Sequence, residues 1–259
     1  MCLIFVCYNQ HPVYPLIVAA NRDEYYARPC TGIQQWENNT AIVAGKDLVK
    51  GGTWMGLSRY GRFAAVTNVR SGQATEDRKS RGELVLSLLS RECARSFVDG
   101  ELAFSYGDYN DFNCLYYFQQ QLYYFNNRTS TYKAVLQPGV YGLSNGLLDT
   151  PWPKLTEGKA EFCQAISAVP DDSALWAVMS DRRQAPEEQL PNTGVSREWE
   201  QLLSSRFIHS NDYGTRSTTL VMWSRNGTVT MKERRYNAKG FIDQNEITLK
   251  LDHADERLH

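Results

Sequence analysis

Leu3-Ile-Phe-Val-Cys-Tyr8 and Tyr14-Pro-Leu-Ile-Val-Ala-Ala20, joined by Asn9-Gln-His-Pro12 and followed at once by Asn21-Arg-Asp-Glu24, decide how this chain folds. Both runs are rich in β-forming residues, and the polar link between them has hairpin length, so the protein is expected to begin with a β-hairpin. Neither run alternates cleanly between apolar and polar residues. Such strands are covered on both faces, which implies a sheet with a layer on either side.

Further strands are expected over Thr53–Ser58 and Arg62–Asn68, around Arg59-Tyr60-Gly61. Asn113–Phe118 and Gln121–Phe125 read as another hairpin, and Val140–Ser144 as a strand ending at Asn145. In Thr218–Ser224 and Thr228–Glu233 the intervening Asn226-Gly227 predicts a hairpin closed by a type I′ turn. Ser80-Arg-Gly-Glu83 fits a capping box ahead of Leu84, Val85, Leu86, Leu88 and Leu89, which places a helix there. Helices are also expected over Pro153–Ile166, Asp171–Ser180 and Ser196–Ser204. The polar stretch Arg70–Lys79 reads as an exposed loop in a position to act as a lid, and the charged tail from Leu251 is expected to fray. Strands at both ends with helices between them suit a two-sheet sandwich flanked by helices better than a regular βαβ alternation. No linker forces a split, so residues 1–259 are taken as one α+β domain.

Composition narrows the function. With 28 Lys and Arg against 29 Asp and Glu, and no basic stripe, the chain is a poor nucleic-acid partner. No apolar run approaches the roughly 20 residues that span a bilayer, so stable membrane insertion is not expected. The first residues lack the basic region of a signal peptide, and the six cysteines show no CxxC spacing. Reduced thiols in the cytoplasm and no metal site are the expectation. Cys7, Cys30, Cys93, Cys114 and Cys163 are read as small buried hydrophobes.

Cys2 differs from the other five. Its side chain is small enough for removal of Met1, after which one residue carries both a thiol and an α-amine with a pKa near 8. Nucleophile and base then share a residue. Position alone also fits a cysteine that simply starts a core strand, and Asn21-Arg-Asp-Glu24 alone fits a solvated loop end.

Five separated segments change that balance: Met1-Cys2 with Asn21-Arg-Asp-Glu24, Gly51-Gly-Thr-Trp-Met-Gly56, Ala65-Val-Thr-Asn68, Gly142-Leu-Ser-Asn145 with Pro151-Trp-Pro-Lys154, and Tyr213-Gly-Thr-Arg-Ser-Thr-Thr219. In this order they resemble the NRDE family, also called the transport and Golgi organisation 2 family. The resemblance implies an αββα sandwich of the N-terminal-nucleophile (Ntn) hydrolase type, in agreement with the two-sheet expectation. A more distant similarity to conjugated bile acid hydrolases and penicillin V acylases implies catalytic roles. Cys2 would attack an amide carbonyl, Arg22 and Asp23 would hold the α-amine and tune the thiol, Asn68 and Asn145 would donate to the oxyanion, and Arg216 would close the far side. In that pattern the arginine and aspartate stand further apart. Here they are adjacent, and neighbours in an extended chain point to opposite faces.

What the NRDE resemblance implies is a carrier: intracellular trafficking of haem or a similar amphipathic molecule, with links to secretion and Golgi organisation. Cys2, Asn21, Glu24, Trp54 and His209 are then the expected ligand-binding residues, with Cys2 or His209 as an axial ligand if iron is held at all. Haem would be cargo and no cofactor is required. A Cys2-dependent hydrolase of linear amide bonds is the alternative, and an interaction protein with a vestigial cleft is the third.

Overall fold

A computed structural model describes residues 2–70, 75, 77–90, 106–129 and 133–252. Thirteen strands among them form two antiparallel sheets. The first contains β1 (Cys2–Tyr8), β2 (Leu16–Tyr25), β10 (Gly139–Leu143), β11 (Tyr213–Trp223), β12 (Thr228–Asn237) and β13 (Gly240–Lys250), in the order β10-β1-β2-β11-β12-β13. The second runs in chain order from β3 (Cys30–Trp36) and β4 (Asn39–Asp47) through β5 (Met55–Ser58), β6 (Arg62–Asn68), β7 (Phe112–Phe118) and β8 (Gln121–Asn126) to β9 (Lys133–Val135).

The near-continuous apolar runs at the start of the chain are explained by two different neighbours. Ile4, Val6, Val18 and Ala20 point between the sheets, where they meet Val43, Leu57, Phe63 and Leu115. Leu3, Phe5, Ile17 and Ala19 point outward onto α2 (Pro153–Ala165) and α3 (Ser173–Met179). Phe5 stacks on Phe162 with ring centroids 5.7 Å apart, and each such buried phenylalanine contributes about 1.5–3 kcal/mol. On the far side, α1 (Arg81–Leu89) lays Leu84, Val85, Leu88 and Leu89 over the second sheet. The layers are thus α, β, β, α.

The expected helices form within a residue or two of their predicted ends. Ser80 caps α1 by accepting from the Gly82 amide at 3.3 Å, and Ser196 caps α4 (Arg197–Leu202) by accepting from the Trp199 amide. Three expectations are corrected. Asn21-Arg-Asp-Glu24 does not follow β2 but lies inside it, because β11 pairs alongside as far as Tyr25. Gly227 has φ 80° but Asn226 is not left-handed, and the Gly227 amide bonds the Ser224 carbonyl at 3.1 Å, so the β11–β12 connection is a type I turn followed by a left-handed glycine, not a type I′ turn. Cys163 is exposed and Cys30 half-buried, so only Cys7 and Cys114 are buried hydrophobes as expected. Strands β3, β4, β9 and β13 were not anticipated at all. Much of the supposed lid, Cys93 and the tail beyond residue 252 lie outside the described residues.

Candidate functional site

Cys2 pairs with Arg22 across the β1–β2 ladder, so both side chains leave the same face of the sheet, towards the second sheet. There the Arg22 guanidinium lies over the Trp54 ring, 4.2 Å from its centroid. Arg22 is 6% exposed, a cation taken almost wholly out of water. The aromatic face, Asp47 Oδ2 at 4.0 Å and the Cys30 sulfur, which accepts from Nη1 at 3.6 Å, offset that cost. Cys2, Ile4, Ala20, Arg22, Trp54 and Met55 line a narrow cleft. Burial pushes the Cys2 thiol above its ordinary pKa; the Asp23 carboxylate adds to the rise and Arg22 opposes it.

Asp23 and Asn21 point the other way, into the helix layer. Asn21 is held completely: its amide donates to the Met179 and Arg206 carbonyls at 2.8 and 2.7 Å, and its oxygen accepts from the Thr218 hydroxyl at 2.6 Å. Asp23, 1% exposed, accepts from the Thr215 hydroxyl at 2.7 Å. Burial raises its carboxyl, against the charges of Lys154 and Arg22. Lys154 is itself buried, with Nζ donating to the Leu203 carbonyl at 2.8 Å, and burial lowers it to about 8 while Asp23 opposes that fall.

Asn68 and Asn145 come together beside Cys2. The Asn145 amide nitrogen donates to both the carbonyl and the side-chain oxygen of Asn68, each at 3.0 Å. The preceding Ser144 hydroxyl donates to the Cys2 carbonyl at 3.2 Å, and its own carbonyl accepts from Thr67 at 2.7 Å. The end of β10 therefore stitches the two sheets together next to Cys2, although neither Asn68 nor Asn145 lines the cleft. Arg70 extends the stitch: its backbone amide donates to the Asn145 carbonyl at 2.8 Å, and its guanidinium pairs with Glu200 at 2.7 Å, with the side chains 6% and 2% exposed.

Arg216 does not line this cleft. Its Nη1 donates to the carbonyls of Tyr25, Tyr26 and Arg28, and Nη2 reaches the Cys30 sulfur at 3.7 Å. It faces a second narrow hollow that shares the Trp54 wall with the first. Trp54 fits there because residue 45 is glycine; a Cβ at that position would stand 2.5 Å from the indole. Glu24 lines neither hollow: it accepts from the Tyr25 amide and stands 3.8 Å from Arg28. His209 is exposed and lines neither hollow. The described residues contain no cluster of His, Cys, Asp and Glu fit to hold a metal, and no helix long and apolar enough to cross a membrane.

Cys30, Lys154, Arg70, Glu200 and Glu233 were not anticipated as members of this region. Two of them left a trace in the sequence. Glu233 continues the inward positions of Val229 and Met231 in β12, and Lys154 sits in the first turn of a helix, where the dipole disfavours a cation.

An αββα sandwich with a cysteine at the head of an inner strand, an arginine on its face and an asparagine pair beside it defines a protein of the Ntn-hydrolase fold. The same fold appears in a mutant of the conjugated bile acid hydrolase from Clostridium perfringens, with a TM-score of 0.51 over 98% of this chain and 94% of that one at 10% identity. The profile of the Transport and Golgi organisation 2 family matches residues 1–238, and the chain belongs to that family. It is 36% identical to the human Transport and Golgi organization protein 2 homolog, over 90% of this chain and 92% of that protein. The Drosophila melanogaster Transport and Golgi organization protein 2 is 25% identical over 86% and 87%.

Proposed function

We propose that the Cys2 cleft binds haem or a similar amphipathic small molecule for trafficking in the cytosol. The observation that carries this reading is the Arg22–Trp54 stack beside Cys2, which sets a cation and the indole it covers among the apolar walls of one cleft. The cleft is narrow, so such a molecule would rest across its opening. Three features weigh against catalysis in this state: burial favours the neutral thiol, the Asn145 amide nitrogen spends its hydrogen bonds on Asn68, and Asp23 faces the helix layer. The family relatives' names, which include the word transport, agree with a carrier.

The test is a haemin titration of protein lacking Met1, followed by the Soret band. A saturable shift that weakens in Arg22→Ala is expected, and a linear, unsaturable change sinks the reading. One observation favours the alternative of a Cys2-dependent amide hydrolase, namely the asparagine pair next to Cys2. Wild type and Cys2→Ala are therefore challenged with a panel of linear acyl amides. Equal turnover by the two proteins removes the hydrolase.

A further inference from the structure

The second hollow lies on the other side of Trp54 and contains chemistry that the Cys2 cleft does not use. Glu233 projects from β12 between the sheets and is 1% exposed. Its Oε2 accepts from the Ile33 amide at 2.8 Å, while Oε1 lies beside the Ser217 hydroxyl and neither atom completes a well-formed hydrogen bond. Arg216 Nε is buried and also lacks a partner. Charge is unbalanced in the same place. Arg235 pairs with both oxygens of Asp243, and Arg22 stands 4.0 Å from Asp47, but among the described residues Arg216 meets backbone carbonyls, Cys30 and the Tyr26 ring and forms no ion pair. The remaining wall is apolar and aromatic, from Trp54, Tyr236 and Ile242, and Ile242 is 45% exposed at the edge.

We propose that this hollow is a second ligand site, which takes the carboxylate of an amphipathic organic acid against Arg216, Ser217 and Glu233 and its hydrocarbon against Trp54, Tyr236 and Ile242. A carboxylate supplies the missing counter-charge for Arg216 and an acceptor for its Nε–H. Glu233 joins as the neutral acid, donating its proton to the ligand in the way two neighbouring carboxyl groups share one proton. Burial favours that form by raising the Glu233 carboxyl to about 7, with Arg235 and Arg22 pulling the other way. The groups facing it are Arg22 from β2, Cys30 and the Ile33 amide from β3, Ser217 and Arg216 from β11, and Arg235 and Tyr236 from its own strand, with Asp243 of β13 behind Arg235.

The inference rests on the amphipathic-ligand reading only in taking the ligand to be an acid, and its test contains no haem. Octanoate and octanamide are titrated calorimetrically into wild type, Glu233→Gln and Cys2→Ala at pH 6 and pH 8, with urea unfolding as the check on folding. Wild type is expected to bind octanoate about tenfold more weakly at pH 8, the effect of one proton lost near pH 7, and to prefer octanoate to octanamide at pH 6. Glu233→Gln keeps an acceptor for Ile33 and a permanent donor for the ligand, so its octanoate affinity is expected to be the same at both pH values. Cys2→Ala is expected to match wild type. No saturable octanoate binding at pH 6, an equal pH loss in Glu233→Gln, or loss of binding in Cys2→Ala would each overturn the proposal. A failed haemin titration beside successful octanoate binding would remove the haem reading and leave this site standing.

Discussion

The side-chain amide of Asn145 reaches across from the first sheet and donates at 3.0 Å to both the backbone and the side-chain oxygen of Asn68 in the second. One residue thereby closes the end of the sandwich next to Cys2 and fixes which way the Asn68 amide nitrogen points. Asn68 oxygen is the acceptor, so its NH2 is the donor left for any ligand.

Asn145→Ala removes both bonds and strands two acceptors. A loss of about 1–3 kcal/mol in urea unfolding is expected. If linear amides are turned over at all, the rate is expected to fall about 10²-fold as well. Unchanged stability would show that other contacts hold this end of the sandwich shut.

Arg22→Lys retains the charge but not the flat cation that covers Trp54. Haemin affinity is expected to drop about tenfold, equivalent to about 1.4 kcal/mol, within the range of a desolvated cation–π contact. Soret titrations of the two proteins measure it directly, and equal affinities would remove Arg22 from the binding surface.

Glu200 accepts from Arg70 and from the Thr193 amide and hydroxyl, all within 2.6–2.8 Å, at 2% exposure. Glu200→Ala leaves the Arg70 cation buried opposite a void, and a loss of about 3–5 kcal/mol is expected in chemical unfolding. A loss below 1 kcal/mol would mean that water reaches Arg70.

Asp23 and Lys154 are buried and each acts on the other's ionisation. Asp23→Asn and Lys154→Met are each expected to cost on the order of 3 kcal/mol, and the double variant clearly less than their sum. Strict additivity in the double-mutant cycle would show that the two charges do not support one another.

The Glu233 carboxyl is raised to about 7, so between pH 4.5 and 7 the folded protein holds a proton that the unfolded chain has released. Its contribution to stability is complete below the ordinary glutamate range and is lost as pH climbs through 7. From pH 5 to pH 8 wild type is expected to lose about 2.5 kcal/mol relative to Glu233→Gln. Parallel stability profiles for the two proteins would contradict a buried, raised carboxyl.

The first hairpin and the four helices were legible because their signals are local: unbroken β-formers, a polar link of hairpin length, a serine cap ahead of leucines. β3 and β4 were not, since Gly32, Gln34, Ala41 and Gly45 carry little strand propensity and are ordered by packing between neighbours. β13 was hidden because an exposed edge strand is mostly polar. Within the site, the adjacency of Arg22 and Asp23 already implied opposite faces, and the ladder assigns Arg22 to the Cys2 face. Arg216 and Cys30 were beyond such reasoning. They meet only because residue 216 sits where the β2–β11 register shifts, turning its side chain towards the 25–30 segment.

Trp54 stands as a bulkhead between the two hollows, resting in space that a glycine at position 45 leaves open. Room gained by one compartment through movement of the indole is room forfeited by the other. Two ligands that each displace it would therefore antagonise one another without touching, and by linkage each would weaken the other by the same factor.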